Sequence, residues 1–187
     1  MTQDSSASRT ASPVFYDFEA TGLDGIPIEI GWAYFDAATE TILSEAYLIR
    51  AAEEWELASV WDERAQEIHG IELETVLAKG KGPVEVLSRM NAVLNGRELF
   101  ADSPFDPAWL RQLFELADLD PSFHMRVMLS PALCDRLAVV RNIDSSEYAA
   151  IKAKVERNSP ITHRADADAR YWAHLWLAIT SRNAQTS

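Results

Sequence analysis

Asp17 and Glu19 stand two residues apart at the far end of an apolar run, in the stretch VFYDFEATGL from Val14 to Leu23. Side chains alternate faces along a strand, so both carboxylates project to the same side. Two acids so placed repel each other and resist ionisation unless positive charge lies between them. A hard divalent cation, magnesium or manganese, brings such charge to oxygen ligands. Spacing alone also allows a plainer arrangement, with Glu19 at the exposed start of a loop and Asp17 paired to an arginine.

A second oddity lies near the C-terminus. Asp168, Trp172, Leu175 and Ile179 follow 4-3-4 helical spacing, which puts a carboxylate along the edge of an apolar stripe. An acid there needs a partner. His163 precedes it by five residues. A lone histidine commonly serves structure. Beside a cation-binding aspartate it suits a general base, because an imidazole titrates near ~6.5. Asp106, followed by Pro107, reads as the N-cap of a helix that proline opens, or as a further acid of the same group.

These residues need elements to hold them. Val14–Phe18, Ile28–Phe35 and Thr41–Ile49 read as three sequential strands, the last two joined by a hairpin turn over Asp36–Glu40. Helices are expected over Val60–His69, stopped by Gly70, over Glu72–Lys79, and from Pro83 to Gly96 with Val86, Leu87, Met90, Val93 and Leu94 at helical spacing. Glu98–Ala101 reads as a short strand, then a helix from Asp106 to Ala117, a strand over Phe123–Leu129, and helices over Pro131–Val140, Ser146–Arg157 and His163–Thr180. Strands first, then helices mixed with further strands, predict an α/β fold with a mixed central sheet flanked by helices.

The 187 residues suit one domain over residues 13–181, between a polar, serine-rich N-terminal tail (residues 1–12) and a short C-terminal tail (residues 182–187). No apolar run approaches a membrane span, and no signal-peptide core is legible. A single cysteine, Cys134, cannot form an internal disulfide and reads as a buried apolar residue, which fits a reducing compartment such as the cytoplasm. The net charge of −12 argues against gripping long duplex nucleic acid by charge alone. Charge is uneven, however: residues 1–135 carry net −15 and residues 136–187 net +3. A polyanion is therefore expected near the C-terminal third or near bound cations.

In order along the chain, DFEATGL (Asp17–Leu23), FADSPFD (Phe100–Asp106) and HRADADA (His163–Ala169) resemble the three motifs of the DEDDh 3′-to-5′ exonucleases, which have a ribonuclease H-like fold. That family includes ribonuclease T, oligoribonuclease and bacterial polymerase proofreading subunits. IEIG (Ile28–Gly31) resembles its second strand, and IHGI (Ile68–Ile71) a segment between its first two motifs. One departure stands out: Asp102 occupies a position where the family usually carries asparagine.

The resemblance implies a reaction and roles. Asp17, Glu19 and Asp168 would ligate one of two divalent cations, Mg2+ or Mn2+, and Asp17 would bridge to the other. Asp106 would act from just outside that set, and His163 would take the proton from the attacking water. Thr21, Gly22 and Leu23 would meet the terminal nucleotide, Thr21 by hydrogen bonding, Gly22 by close backbone approach, and Leu23 by pressing on the last base or by packing in the core. Asp102 would touch substrate and affect nucleotide preference. Arg164, with Arg157, Lys154 and Lys152, would guide the strand, or these would be a solvated face. The product would be nucleoside 5′-monophosphates from single-stranded 3′ ends of RNA or DNA. A catalytically weak nucleic-acid-binding adaptor with the same fold is the competing expectation. No tethering domain is legible, so a stand-alone enzyme is expected, with a homodimer allowed by the resemblance. Among the tryptophans, Trp172 and Trp176 are expected in the core, and Trp55, Trp61 and Trp109 are open between packing and base stacking.

Overall fold

The chain is described by a computed structural model over residues 11–50 and 56–182. The expected tails fall largely outside those residues, and Trp55 lies wholly outside them. Ser12, assigned to the tail by composition, already donates its hydroxyl to the Phe35 carbonyl.

Three antiparallel strands lead: β1 (Val14–Ala20), β2 (Pro27–Asp36) and β3 (Thr41–Leu48). The β2–β3 turn forms where expected, because the Asp36 carboxylate accepts from the Ala38 and Thr39 backbone and from the Thr39 hydroxyl. Three helices follow, α1 (Glu63–His69), α2 (Leu73–Lys79) and α3 (Pro83–Leu94). Then β4 (Glu98–Ala101) adds parallel to β1, α4 (Asp106–Ala117) follows it, and β5 (His124–Met125) adds parallel to β4. Helices α5 (Ser130–Val140), α6 (Ser145–Asn158) and α7 (Ala165–Thr180) complete the chain. The strand order β3-β2-β1-β4-β5 gives a mixed five-stranded sheet flanked by helices, as the order of elements predicts.

Alternation along β1 divides two cores. Val14, Tyr16 and Phe18 face α3 and α4, packing with Val86, Leu87, Met90, Leu94, Leu110 and Leu113. Phe15 faces the other way, toward Ala169 and Ala173 of α7 and Phe100 of β4. Each fully buried leucine or methionine on the α3–α4 side contributes ~1.5–3 kcal/mol. By the same alternation Asp17 and Glu19 share the Phe15 face, the side that α7 covers.

Several details at the ends of elements differ from the sequence expectation. The helix expected from Val60 starts at Glu63, because Asp62 caps it by accepting from Arg64 N at 2.9 Å and residues 57–59 form a separate tight turn. The strand expected over Phe123–Leu129 shrinks to two residues; Val127 is fully exposed and Ser130 already opens α5. Helix α4 does begin at Asp106, yet Asp106 is its first residue and not its cap. Finally, α7 begins at Ala165 and leaves His163 outside, in a left-handed turn with φ 54°.

Candidate active site

The C-terminal end of β1 delivers Asp17 and Glu19, and α7 lies across that face. One carboxylate oxygen from each of Asp17, Glu19 and Asp168 lies within 4.8 Å of the others. Asp17 and Asp168 are buried, and Glu19 is half-buried. Among the described residues no arginine pairs with Asp17, the plainer arrangement that its spacing allowed.

This convergence needs α7 to approach the sheet closely, and Gly31 permits it. Gly31 pairs with Asp17 across the β1–β2 ladder. A Cβ at Gly31 would stand 2.2 Å from the Asp166 nitrogen and 2.3 Å from the Ala165 carbonyl carbon. Only a residue without a side chain lets the first turn of α7 lie here.

The electrostatics follow from the crowding. Burial, then the charges of Asp106, Asp102, Glu19 and Asp168, hold the Asp17 carboxyl well above the ordinary carboxylate range. Burial, with Asp168, Glu29 and Asp106 nearby, pushes Glu19 up to about 8, although Arg164 opposes it. Burial also raises Asp168, opposed by the Thr162 N–H that donates to its Oδ1 at 2.8 Å. The set is all hard oxygen, closely spaced and short of positive charge. These residues therefore fit a divalent cation of the magnesium or manganese class.

Asp106 lies close by but outside that trio. It is fully buried, and both its oxygens accept from Ser103, one from the backbone N–H at 2.7 Å and one from the hydroxyl at 2.8 Å. This replaces the expected capping role: the carboxylate ties down the β4–α4 turn. Burial pushes it up to about 7 against those two hydrogen bonds. Asp102 sits half-buried in the same turn, and burial, with the Asp168 charge nearby, raises it to about 6. His163 is exposed at the rim of the acid cluster, next to the segment that Asp168 anchors.

Beside Glu19 a cavity of about 340 Å³ opens, lined by Phe18, Gly22, Leu23, Asp62, Ile68 and Trp109, among others. Leu23 is 73% exposed, which removes core packing as its role. Thr21 is buried, and its Oγ1 accepts from Ile26 N at 3.0 Å, so its side chain organises the turn after β1. Trp109 braces this turn from α4, donating its indole N–H to the Gly25 carbonyl at 3.0 Å and stacking on Phe105. Trp61 is likewise engaged, donating to Gln66 Oε1. Trp172 and Trp176 pack half-buried against the α7-side cores. His69 is buried, with Nδ1 accepting from Ile71 N.

Arg164 differs most from its expected role as a free guide for substrate. Its guanidinium donates from Nε and Nη2 to the two oxygens of Glu29, which is almost wholly buried on β2. Sequence reasoning passed over Glu29. The signal was present: an acid between Ile28 and Ile30 in an otherwise apolar strand must find a partner. Lys152 lies over the Tyr148 ring, and Lys154 lines a separate cavity with Leu177 and Ala178, as residues of a solvated helix face would.

Comparison with known proteins bears on this geometry. The RNase T family profile, described as Exonuclease, matches residues 14–176. No curated protein matches the sequence. Among solved structures, Escherichia coli Exonuclease I in complex with a dA16 oligonucleotide aligns with TM-score 0.63 at 15% identity, covering 93% of this chain and 41% of that one. Exonuclease I from Methylocaldum szegediense, described as moderately thermophilic, aligns with TM-score 0.67 at 16% identity over 94% of this chain and 41% of its own. The zinc-bound form of the E. coli ExoI–ssDNA complex aligns with TM-score 0.62 at 16% identity, over 95% and 42%. The chain thus spans about two fifths of the length of these proteins, and the likeness shows a shared fold of the ribonuclease H-like type.

Proposed function

This chain belongs to the RNase T family of exonucleases, and we propose that within it the protein is a DEDDh 3′-to-5′ exonuclease. It would hydrolyse single-stranded 3′ ends of RNA or DNA and release nucleoside 5′-monophosphates. One observation carries the proposal: three carboxylates, from residues 17, 19 and 168, converge within 4.8 Å. So costly a grouping of acids is expected where cations are bound.

Asp17, Glu19 and Asp168 would hold the cations, with Asp17 placed to serve both. Two divalent cations, Mg2+ or Mn2+, would supply the charge that neutralises the scissile phosphate and the leaving oxygen. His163 would accept the proton of the attacking water; its exposed position at the rim lets it reach solvent and return the proton there. Asp106 would keep the β4–α4 turn, and with it Asp102, at a set distance from the cluster. The cavity beside Glu19 would take the terminal nucleoside, with Leu23 against its base and Gly22 leaving room for its sugar. A pocket closed around one free end holds few phosphates, which suits a protein of net charge −12.

Residues 13–181 would form the single exonuclease domain. Among the described residues no helix is long and apolar enough to cross a membrane. We place the protein in the cytoplasm on its single, buried cysteine. A homodimer rests on the resemblance alone.

The test is cleavage of 5′-labelled single-stranded RNA and DNA of equal sequence, with magnesium, with manganese and with EDTA. A cation-dependent ladder shortening from the 3′ end, absent in Asp17→Asn, is expected. Tight binding of either strand without any cleavage would establish the adaptor in its place.

A further inference from the structure

We infer that Glu29 is a positioning residue, which sets the place of His163 relative to β1; its catalytic consequence rests on the proposed hydrolysis. The geometry is a clamp on residues 162–165, which carry the third motif into α7. Glu29 Oε2 accepts from Ala165 N at 3.0 Å, the first residue of α7. The same carboxylate receives Arg164 through both Nε and Nη2, a two-pronged ion pair. From the other side, Asp168 Oδ1 accepts from Thr162 N at 2.8 Å, and Asp168 N donates to the Arg164 carbonyl at 3.0 Å.

His163 therefore lies between two anchored neighbours, Thr162 and Arg164. Its own backbone occupies the left-handed region, φ 54°, which a residue with a side chain holds only when its surroundings impose it. The imposition comes from Glu29 on one flank and Asp168 on the other. Glu29 also pairs with Glu19 across the β1–β2 ladder. The proposed cation ligand and the clamp thus sit one interstrand step apart, on neighbouring strands of a rigid sheet. The distance from Glu19 to the His163 turn is set through that step, with Gly31 allowing α7 to come down beside it.

A carboxylate is what this place requires. Three N–H groups converge on Glu29, and all need acceptors. Glutamine would keep the shape but turn an amide NH2 toward one of those donors, so one prong opens. The side chain is 2% exposed, and water cannot take its place without movement.

The experiment uses the full chain with Glu29→Gln, Arg164→Lys, His163→Ala and the double variant Glu29→Gln/His163→Ala. Arg164→Lys keeps the charge and loses the two-pronged edge. Cleavage by Glu29→Gln and Arg164→Lys is expected to lose roughly 10–100-fold in kcat, with KM within about threefold of the parent. In the double variant the Glu29 change should add less than about threefold to the loss from His163→Ala, since it acts through that residue. Imidazole NMR gives a readout free of catalysis. The His163 resonance, identified by its loss in His163→Ala, should shift or split in both Glu29→Gln and Arg164→Lys, while His124 stays unmoved. An unmoved His163 resonance with full kcat overturns the inference, and so does a fully multiplicative loss in the double variant. Should the parent cleave nothing while the His163 resonance still moves, the clamp stands and the exonuclease reading alone falls. If Glu29→Gln does not fold, Arg164→Lys carries the same comparisons.

Discussion

Stripping divalent cations and raising the pH should destabilise this protein, and the acid cluster sets how much. Glu19 is held at about 8 against an ordinary 4.5, and Asp106 at about 7 against 3.8. In the folded state these groups keep protons that the unfolded chain has already released. Where the native state binds more protons, stability falls as pH rises. The loss begins near the unfolded pKa and is complete above the folded one. For Glu19 alone, between pH 5.5 and 8.5, this amounts to roughly 3 kcal/mol at ~1.4 kcal/mol per pKa unit. Asp106 does not simply add, because the acids raise one another. For a domain of this size ~1 kcal/mol moves Tm by about 2–4 °C, so Tm in EDTA should fall by roughly 6–12 °C over that range. Magnesium or manganese should restore most of it at the alkaline end. Glu19→Gln and Asp17→Asn should flatten the slope in EDTA and remove the response to cations. A Tm in EDTA that is level or rises from pH 5.5 to 8.5, or a slope unchanged in both variants, would refute the reasoning.

The remaining predictions concern single side chains. His163→Ala should slow cleavage by roughly 10²–10⁴-fold with cation affinity retained by calorimetry; a large loss of affinity would make the histidine a ligand. Asp102→Asn should leave cleavage intact and alter nucleotide preference in a comparison of homopolymer substrates, whereas complete inactivation would give Asp102 a direct part in the reaction. Gly31→Ala should force α7 off β2, because its Cβ would meet the Asp166 nitrogen at 2.2 Å. A stability loss of about 1–3 kcal/mol or more by denaturant unfolding is expected, together with weaker cation binding. A fold as stable as the parent would show that α7 can move aside freely.

Much of the fold was legible because its signals are local. Proline opened α3 and α4, the Asp36–Thr39 turn made the hairpin, and apolar spacing marked the strands and the longer helices. The failures also have local causes. The apolar stretch from Phe123 looked like a strand, but β4 is only four residues long and offers β5 a partner for two. The expected cap at Asp106 lost to Ser103, which offers two donors to the buried carboxylate of the helix's first residue. Helix α7 was expected two residues early, since helical spacing does not register a left-handed turn that Asp168 and Glu29 impose from either side.

The candidate site divides along the same line. Strand alternation by itself determined that Asp17 and Glu19 share a face, and helical spacing determined that Asp168 borders an apolar stripe. These are properties of one element, governed by backbone geometry within a few residues. Only the tertiary structure decided that the two faces meet, across some 150 residues of chain. It also paired Arg164 with Glu29, left Leu23 exposed beside a cavity, and raised the pKa values of the acids. Those outcomes depend on which distant groups share a desolvated space. That space exists only once α7 has come down on Gly31.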